Sequence, residues 1–568
     1  MVCGPEIVGT GMATLNGYEY IASYGDLIAA FGPNRAAGEA HYFSNGLREG
    51  RRQGFDSLQY LASYRDLALA FGLNLDTAAV HYITNGVREG RTWDRFDATQ
   101  YLANYPDLAA AFGTDLEAAT RHYVTNGVRE GRSAQAVDMY FAADTPGQGY
   151  ELWRVQSNGL FAPVAFIGDG ATGSFPGDLT SFRGELYFSA EYAAFGLEVW
   201  KVRGDGITVP VADILTGPGA SDPFGFTEFR GELYFSANNG GGYELWKVRA
   251  DGSVVPAADI AAGAASSLPD ELTPFRGELY FGADNGGMGR ELWKVRGDGV
   301  VVPAADILAG PGASDPHGFI QYNGSLYFAA SNAASGEEVW RVAPNGAVGL
   351  AGDISTGGGS SSPDGFAIAA GELYFAADHP ALGREIWKVR PDGIFQPVAD
   401  IAPGAGDSNP VGFTDLSGEV YFAADTAASG TELWKVRSDG AVVQVAEIAA
   451  GSLGSDPSDF AVFGSDLYFA ATSSASGREL WKVRADGAVV QVADIQPGGG
   501  SSDPQELTVF RGELYFSANS AARGSELWKV LADGSAVLAG DIAPGGGDAG
   551  PYGLTPHGIS AAASDLMF

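Results

Sequence analysis

The chain has 568 residues, 45% hydrophobic and 12% aromatic, enough apolar material for a long repeat array and too much for a disordered polymer. Its formal charge is -35, from 69 acidic and 34 basic residues, a field that repels phosphate backbones and excludes nucleic acid as a partner. One cysteine, Cys3, excludes an internal disulfide, and no run approaches the roughly 18 apolar residues of a membrane span, so no membrane insertion is expected.

Residues 1–19 form an N-terminal segment with no basic stretch followed by an apolar run, so a standard secretory signal is not expected. Three similar segments follow, starting at Tyr20, Tyr60 and Tyr101 and together covering residues 20–132. In the first, Ile21, Tyr24, Leu27, Ile28 and Phe31 share one helical face. Gly32 should end that helix. A second helix should carry Ala40, Phe43 and Leu47 and turn at Asn45-Gly46. Each unit thus reads as a helical hairpin that must stack to bury its face. His41, His81 and His122 recur once per unit and read as packing or capping contacts rather than metal ligands. Asp26, Asp66 and Asp107 read as local hydrogen-bonding residues. These Tyr/Asp-Leu/Phe-Gly/His-Tyr/Gly-Arg units resemble short helical repeats appended to large exported or surface proteins of alphaproteobacteria. That resemblance implies a bacterial origin and an attachment or spacer module, with self-association or docking to a larger assembly through residues 20–132.

From residue 138 to 568 the tryptophans set the period. Trp153, Trp200, Trp246, Trp293, Trp340, Trp387, Trp434, Trp481 and Trp528 lie 47 residues apart, once 46, each within Glu-[Leu/Val/Ile]-Trp-[Lys/Arg]-Val. Nine such copies mark a structural repeat. In the third, strands are predicted at 226–229, 232–237, 244–249 and 254–260, with turns at Arg230-Gly231 and Asp251-Gly252. Only Asn or Asp followed by Gly occupies the latter turn in every copy, from Asn158-Gly159 to Asp533-Gly534. The fold class is therefore mainly β, a nine-unit β-propeller-like array of 47-residue repeats with four short strands each, behind a small α-helical repeat domain. The tryptophans should pack between blades. Asp138 to Ala142 begins on a second strand and Gly553 to His557 offers a first, as a ring-closing blade requires. The array resembles the bacterial repeat family named for a Glu-Leu-Trp-x-x-Asp-Gly-Thr signature, with longer spacing to Asp-Gly here, and the resemblance implies a propeller-like, often extracellular protein.

Three residue sets are functional candidates. Asp213, Asp259, Asp306, Asp353, Asp400, Asp494 and Asp541 recur in Ala-Asp-Ile; they read as loop-bonding residues, with calcium as the alternative role and the one cofactor considered. Residues before the motif Glu vary, among them Tyr150, Tyr243, Arg290, Arg384 and Arg478. So do residues after the loop proline, among them His317 and Tyr552. Variation on a constant frame reads as a ligand-binding surface. No lipase-type Ser elbow, zinc motif, P-loop or dinucleotide fingerprint is present, and with six His a Ser/His/Asp site is not expected. The functional expectation is a noncatalytic, adhesin-like extracellular or surface binding protein, not an enzyme. It would recognise cell-surface polysaccharide or an envelope or particle protein through propeller loops, anchored by the helical units. It would leave the cell by non-classical export or by lysis. The alternatives are a receptor-binding spike of a phage-like or gene-transfer particle and a polysaccharide-degrading enzyme on a propeller scaffold. Asp565-Leu566-Met567-Phe568 reads as an export motif or a repeat remnant.

Overall fold

A computed structural model describes residues 15–558 apart from 130, 131, 133, 135, 136, 157, 158, 169, 264 and 532. Cys3, Asn158, most of the 1–19 segment and the tail Asp565–Phe568 lie outside the described residues. The chain divides into two compact units, Met1–Ala136 and Val137–Phe568.

The helical units are three-helix modules, not hairpins. In the first, Gly17–Ala22 and Gly25–Phe31 are separate helices, because Tyr24 between them is extended at φ -140°. Asn16 caps the first helix by accepting from the Tyr18 amide, and Gly32 closes the second at φ +52°. The third helix, Arg35–His41, runs into a π-helical turn, Tyr42–Gly46. The histidines do what a per-unit role demands. Tyr20, Tyr60 and Tyr101 hydroxyls lie 3.1, 3.0 and 2.9 Å from Nδ1 of His41, His81 and His122. Asp26 and Asp66 pair with Arg51 and Arg91 of their own units; the Asp107 side chain lies outside the described residues. One side of each later unit packs on the first helix of the unit before it, and in the third unit on the second helix as well, in a single apolar core.

The second unit is a nine-bladed propeller. Nine antiparallel sheets each hold four strands, and in blade three these are Phe224–Phe229, Glu232–Asn238, Tyr243–Val248 and Val254–Ala258. The first strands of successive blades touch one another around the whole ring and so line its centre. Blade one is spliced as the sequence offset requires. Val137–Thr145, Gly149–Val155 and Phe161–Ala165 take their inner strand, Tyr552–Gly558, from the far end of the chain. Asp138 pairs with His557 and Tyr140 with Thr555.

The core sits between blades. Phe188 and Trp200 of blade two pack on Tyr140, Leu152 and Ile167 of blade one. On the other side of blade one, Met139, Phe141 and Trp153 pack on Tyr515, Leu527 and Ile542 of blade nine. Each such side chain contributes roughly 1.5–3 kcal/mol by burial, so the seam is held as firmly as any other gap. The Asp-Gly turns hold glycine in the left-handed region, as at Gly252 and Gly440 (φ +83° and +84°), which an L-residue adopts only with strain.

Candidate functional site

The constant residues of the repeat are structural. The glutamate before each tryptophan, to which the sequence had given no role, is the central one. In blade two, the buried Glu198 carboxylate accepts from the Ile214 and Leu215 amides at 2.9 and 3.3 Å and from Ser221 Oγ at 2.7 Å. The same cradle recurs around Glu291, Glu338, Glu385 and Glu479. Burial pushes these carboxyl groups above their ordinary range, against the lowering pull of their serine and amide donors. In blade nine the serine is replaced by Ala549, and Glu526 keeps only the Ile542 and Ala543 amides.

The Ala-Asp-Ile acids are not gathered with other metal-ligating side chains among the described residues. Asp213 and Asp400 each accept one loop amide, from Gly217 and Gly404 at 3.3 Å. Asp541 pairs with Arg523. Asp259, Asp306, Asp353 and Asp494 occupy the corresponding position in their own blades. Calcium takes about six to eight oxygens, and among the described residues no three His, Cys, Asp or Glu side chains gather to hold a metal.

The two variable sets turn out to be partners. In six blades the residue before the motif Glu reaches the first residue of the inner strand. Arg290 and Arg384 form ion pairs with Asp270 and Asp364, and Arg478 binds Ser458 Oγ at 2.6 Å. His317 faces Glu337 at 3.8 Å. The Tyr243 ring meets Phe224, with its hydroxyl on Asp222 at 2.9 Å, and Tyr150 lies against Tyr552 and Phe175. The seven candidate ligand-binding side chains are thus each engaged within the propeller.

One place breaks the repeat with reactive groups, and it is the ring seam. In blades two to nine, the residue paired with the start of the second strand is Phe182, Phe229, Phe275, Tyr322, Ala369, Leu416, Phe463 or Phe510. In blade one it is His557, only 1% exposed. Its Nδ1 is hydrogen-bonded to the Ser181 hydroxyl of blade two's inner strand. Ser181 is exposed, on a strand lining the ring. Burial lowers the His557 pKa to about 4, so the imidazole is neutral at pH 7. Around it the usual network is altered as well. In several blades a glutamate binds both a tyrosine and a lysine, as Glu185 does with Tyr187 and Lys201 at 3.2 and 2.7 Å, while blade five has Ser325 and Arg341 there and blade eight Asp466. In blade one these become Asp138, Tyr140 and Arg154. The shorter acid holds Arg154 at 3.1 Å, and the Tyr140 hydroxyl and His557 Nε2 have no hydrogen-bond partner among the described residues. The sequence hid this group because its members lie 376 residues apart and carry no local motif; the signal available was a histidine at an otherwise apolar repeat position.

No protein-family model matches the chain, and no curated protein matches it. Among solved structures it is similar to a puromycin hydrolase, at 16% identity and a TM-score of 0.32, over 61% of this chain and 58% of that one. A dipeptidyl peptidase 4 from Porphyromonas gingivalis matches at 10% identity and a TM-score of 0.39, over 63% and 58%. Oligopeptidase B from Leishmania major matches at 13% and 0.34, over 58% and 49%. The chain therefore spans less than two thirds of the length of these solved chains. Two expectations are corrected here. A noncatalytic, adhesin-like binder, with its spike and polysaccharide alternatives, was expected, and no enzyme. The even spread of residues that argued against catalysis fails at the seam, where the buried His557 binds the exposed Ser181 hydroxyl.

Proposed function

We propose that the chain is a hydrolase of ester or amide bonds, with Ser181 as nucleophile and His557 as the base that activates it. The observation that carries this reading is the Ser181 to His557 hydrogen bond, made where an otherwise apolar repeat position holds a histidine. A serine hydroxyl attacks only when a neighbouring base removes its proton. Here Ser181 Oγ would bond to the substrate carbonyl carbon as its proton passes to Nδ1 of His557. The leaving group departs with that proton, and water then hydrolyses the acyl-serine by the reverse transfer. His557, which carries the imidazolium formed on the way, is paired across the strands with Asp138.

Because burial holds His557 near pKa 4, it is a weak base that stays unprotonated far below neutrality. The expected kcat/KM is flat above about pH 5 and falls only as pH approaches the His557 pKa. The test is labelling by a fluorophosphonate probe together with hydrolysis of p-nitrophenyl esters and peptide p-nitroanilides. Wild-type protein should label and turn over substrate; Ser181→Ala should do neither. His557→Phe restores the aromatic residue common at this position, so it should fold and lose activity. Absence of labelling and turnover in wild-type protein, or labelling that survives Ser181→Ala, overturns the assignment.

A further inference from the structure

The helical units show the two halves of one interface left open at opposite ends of their stack. The side of a unit that meets its predecessor carries Phe43, Ile83 and Val124 at equivalent positions. Ile83 and Val124 are 6% and 0% exposed, packed into the common core, whereas Phe43 is 67% exposed. Leu47 beside it is 56% exposed; of its counterparts, Val87 in the second unit is 45% exposed and Val128 in the third is fully buried. The receiving side shows the inverse order. Ile28, Ala68 and Ala109 are equivalent positions on the second helices; Ile28 is half-buried, Ala68 fully buried and Ala109 exposed. In Arg65–Phe71, the helix of Ala68, the covering element is the π-helical turn Tyr123–Gly127 of the next unit. The first unit therefore presents a knob with nothing before it among the described residues, and the third presents a small-residue socket with no helical unit after it.

We propose that the first helical unit of one chain docks on the third helical unit of a second copy, Phe43 and Leu47 seating over Ala109. The interface would continue the one already built twice within the chain, between units one and two and between two and three. Phe43 would meet an alanine, Ala109, the residue type that Ala68 presents in the second unit. Repeat stacks normally end on polar capping faces, and an apolar end is stabilised by burial at about 25 cal/mol per Å². Such a contact uses different surfaces on the two copies, so it is heterologous and builds head-to-tail chains.

Sedimentation of the full-length protein across roughly 1–100 μM tests this. The expected wild-type mass climbs with concentration beyond that of the 59.0 kDa chain. Phe43→Ser with Leu47→Ser removes the knob, and Ala109→Arg blocks the socket; all three residues are exposed, so folding should be unaffected, and each variant alone should stay monomeric. Mixed together, the knobless and socketless variants retain one good face each and should form a complex of two chains and no larger. A wild-type monomer throughout the range, or an Ala109→Arg protein that associates like wild type, overturns the proposal.

Discussion

At the scale of single residues, the buried motif glutamates dominate the energetics. Glu338 is fully buried and receives the Ile354 and Ser355 amides at 2.8 and 2.9 Å and Ser361 Oγ at 2.6 Å. Glu338→Gln keeps the shape but turns an amide NH₂ towards donors, leaving at least one unsatisfied. The expected loss is about 1–3 kcal/mol in denaturant unfolding. Ala549→Ser should move the other way, giving Glu526 the hydroxyl that eight other blades supply, with a gain of about 1 kcal/mol. Protonation adds two opposing effects. The glutamates have folded pKa values raised above their unfolded ones, so the stability linked to them is full at low pH and is lost as pH rises through the folded values. His557 has a folded pKa of about 4 below its unfolded value, so its contribution is full above about pH 6.5 and is lost as pH falls towards 4. That single histidine amounts to about 3 kcal/mol. Thermal melts should show maximal stability on the acid side of neutrality, and His557→Phe should extend that maximum to lower pH. A melting temperature that rises steadily from pH 6 to 9 would contradict the glutamate effect.

At the scale of elements, the sequence was most informative where spacing is set by covalent geometry. The Asn/Asp-Gly pairs marked their hairpins because only glycine enters the left-handed turn position without strain. Gly440 stands at φ +84° with open space around it, so Gly440→Ala tests backbone strain alone. The expected cost is about 1 kcal/mol by chemical denaturation. Helical periodicity was less reliable. Ile21 to Phe31 share one face whether the backbone is one helix or two, and only the extended Tyr24 divides them. Phe43 and Leu47 have the spacing of core residues, yet whether they are covered depends on the neighbouring unit, which periodicity within one unit does not contain. The variable positions misled for a related reason. Arg290 and Asp270 vary together because they touch, so their variation reflects pairing inside a blade.

For the whole molecule, ring closure is the decisive feature. Deleting residues 551–558 removes the inner strand of blade one and uncovers the apolar side chains packed beside it, Met139 and Phe141 among them. The truncated protein should melt at a clearly lower temperature and bind a hydrophobic dye. The formal charge of -35 also opposes compaction through self-repulsion. Raising salt from about 10 to 150 mM, which shortens the screening length from about 30 to 8 Å, should raise the melting temperature.

The sequence by itself determined the nine-fold period, the four strands of each blade and their Asn/Asp-Gly turns, and it offered the strand offset that a spliced ring needs; the structure closed that ring. These follow from local rules: alternation along strands, glycine at positive φ, and a repeat in which each unit buries its neighbour's face. Tertiary structure alone decided which residues meet across those units. It buried the motif glutamates in cradles of loop amides, paired the two variable sets, and brought His557 from the end of the chain onto Ser181. It also left Phe43 and Ala109 uncovered at opposite ends of the helical stack. Such contacts depend on distance in space between segments far apart in sequence, and periodicity carries no record of them.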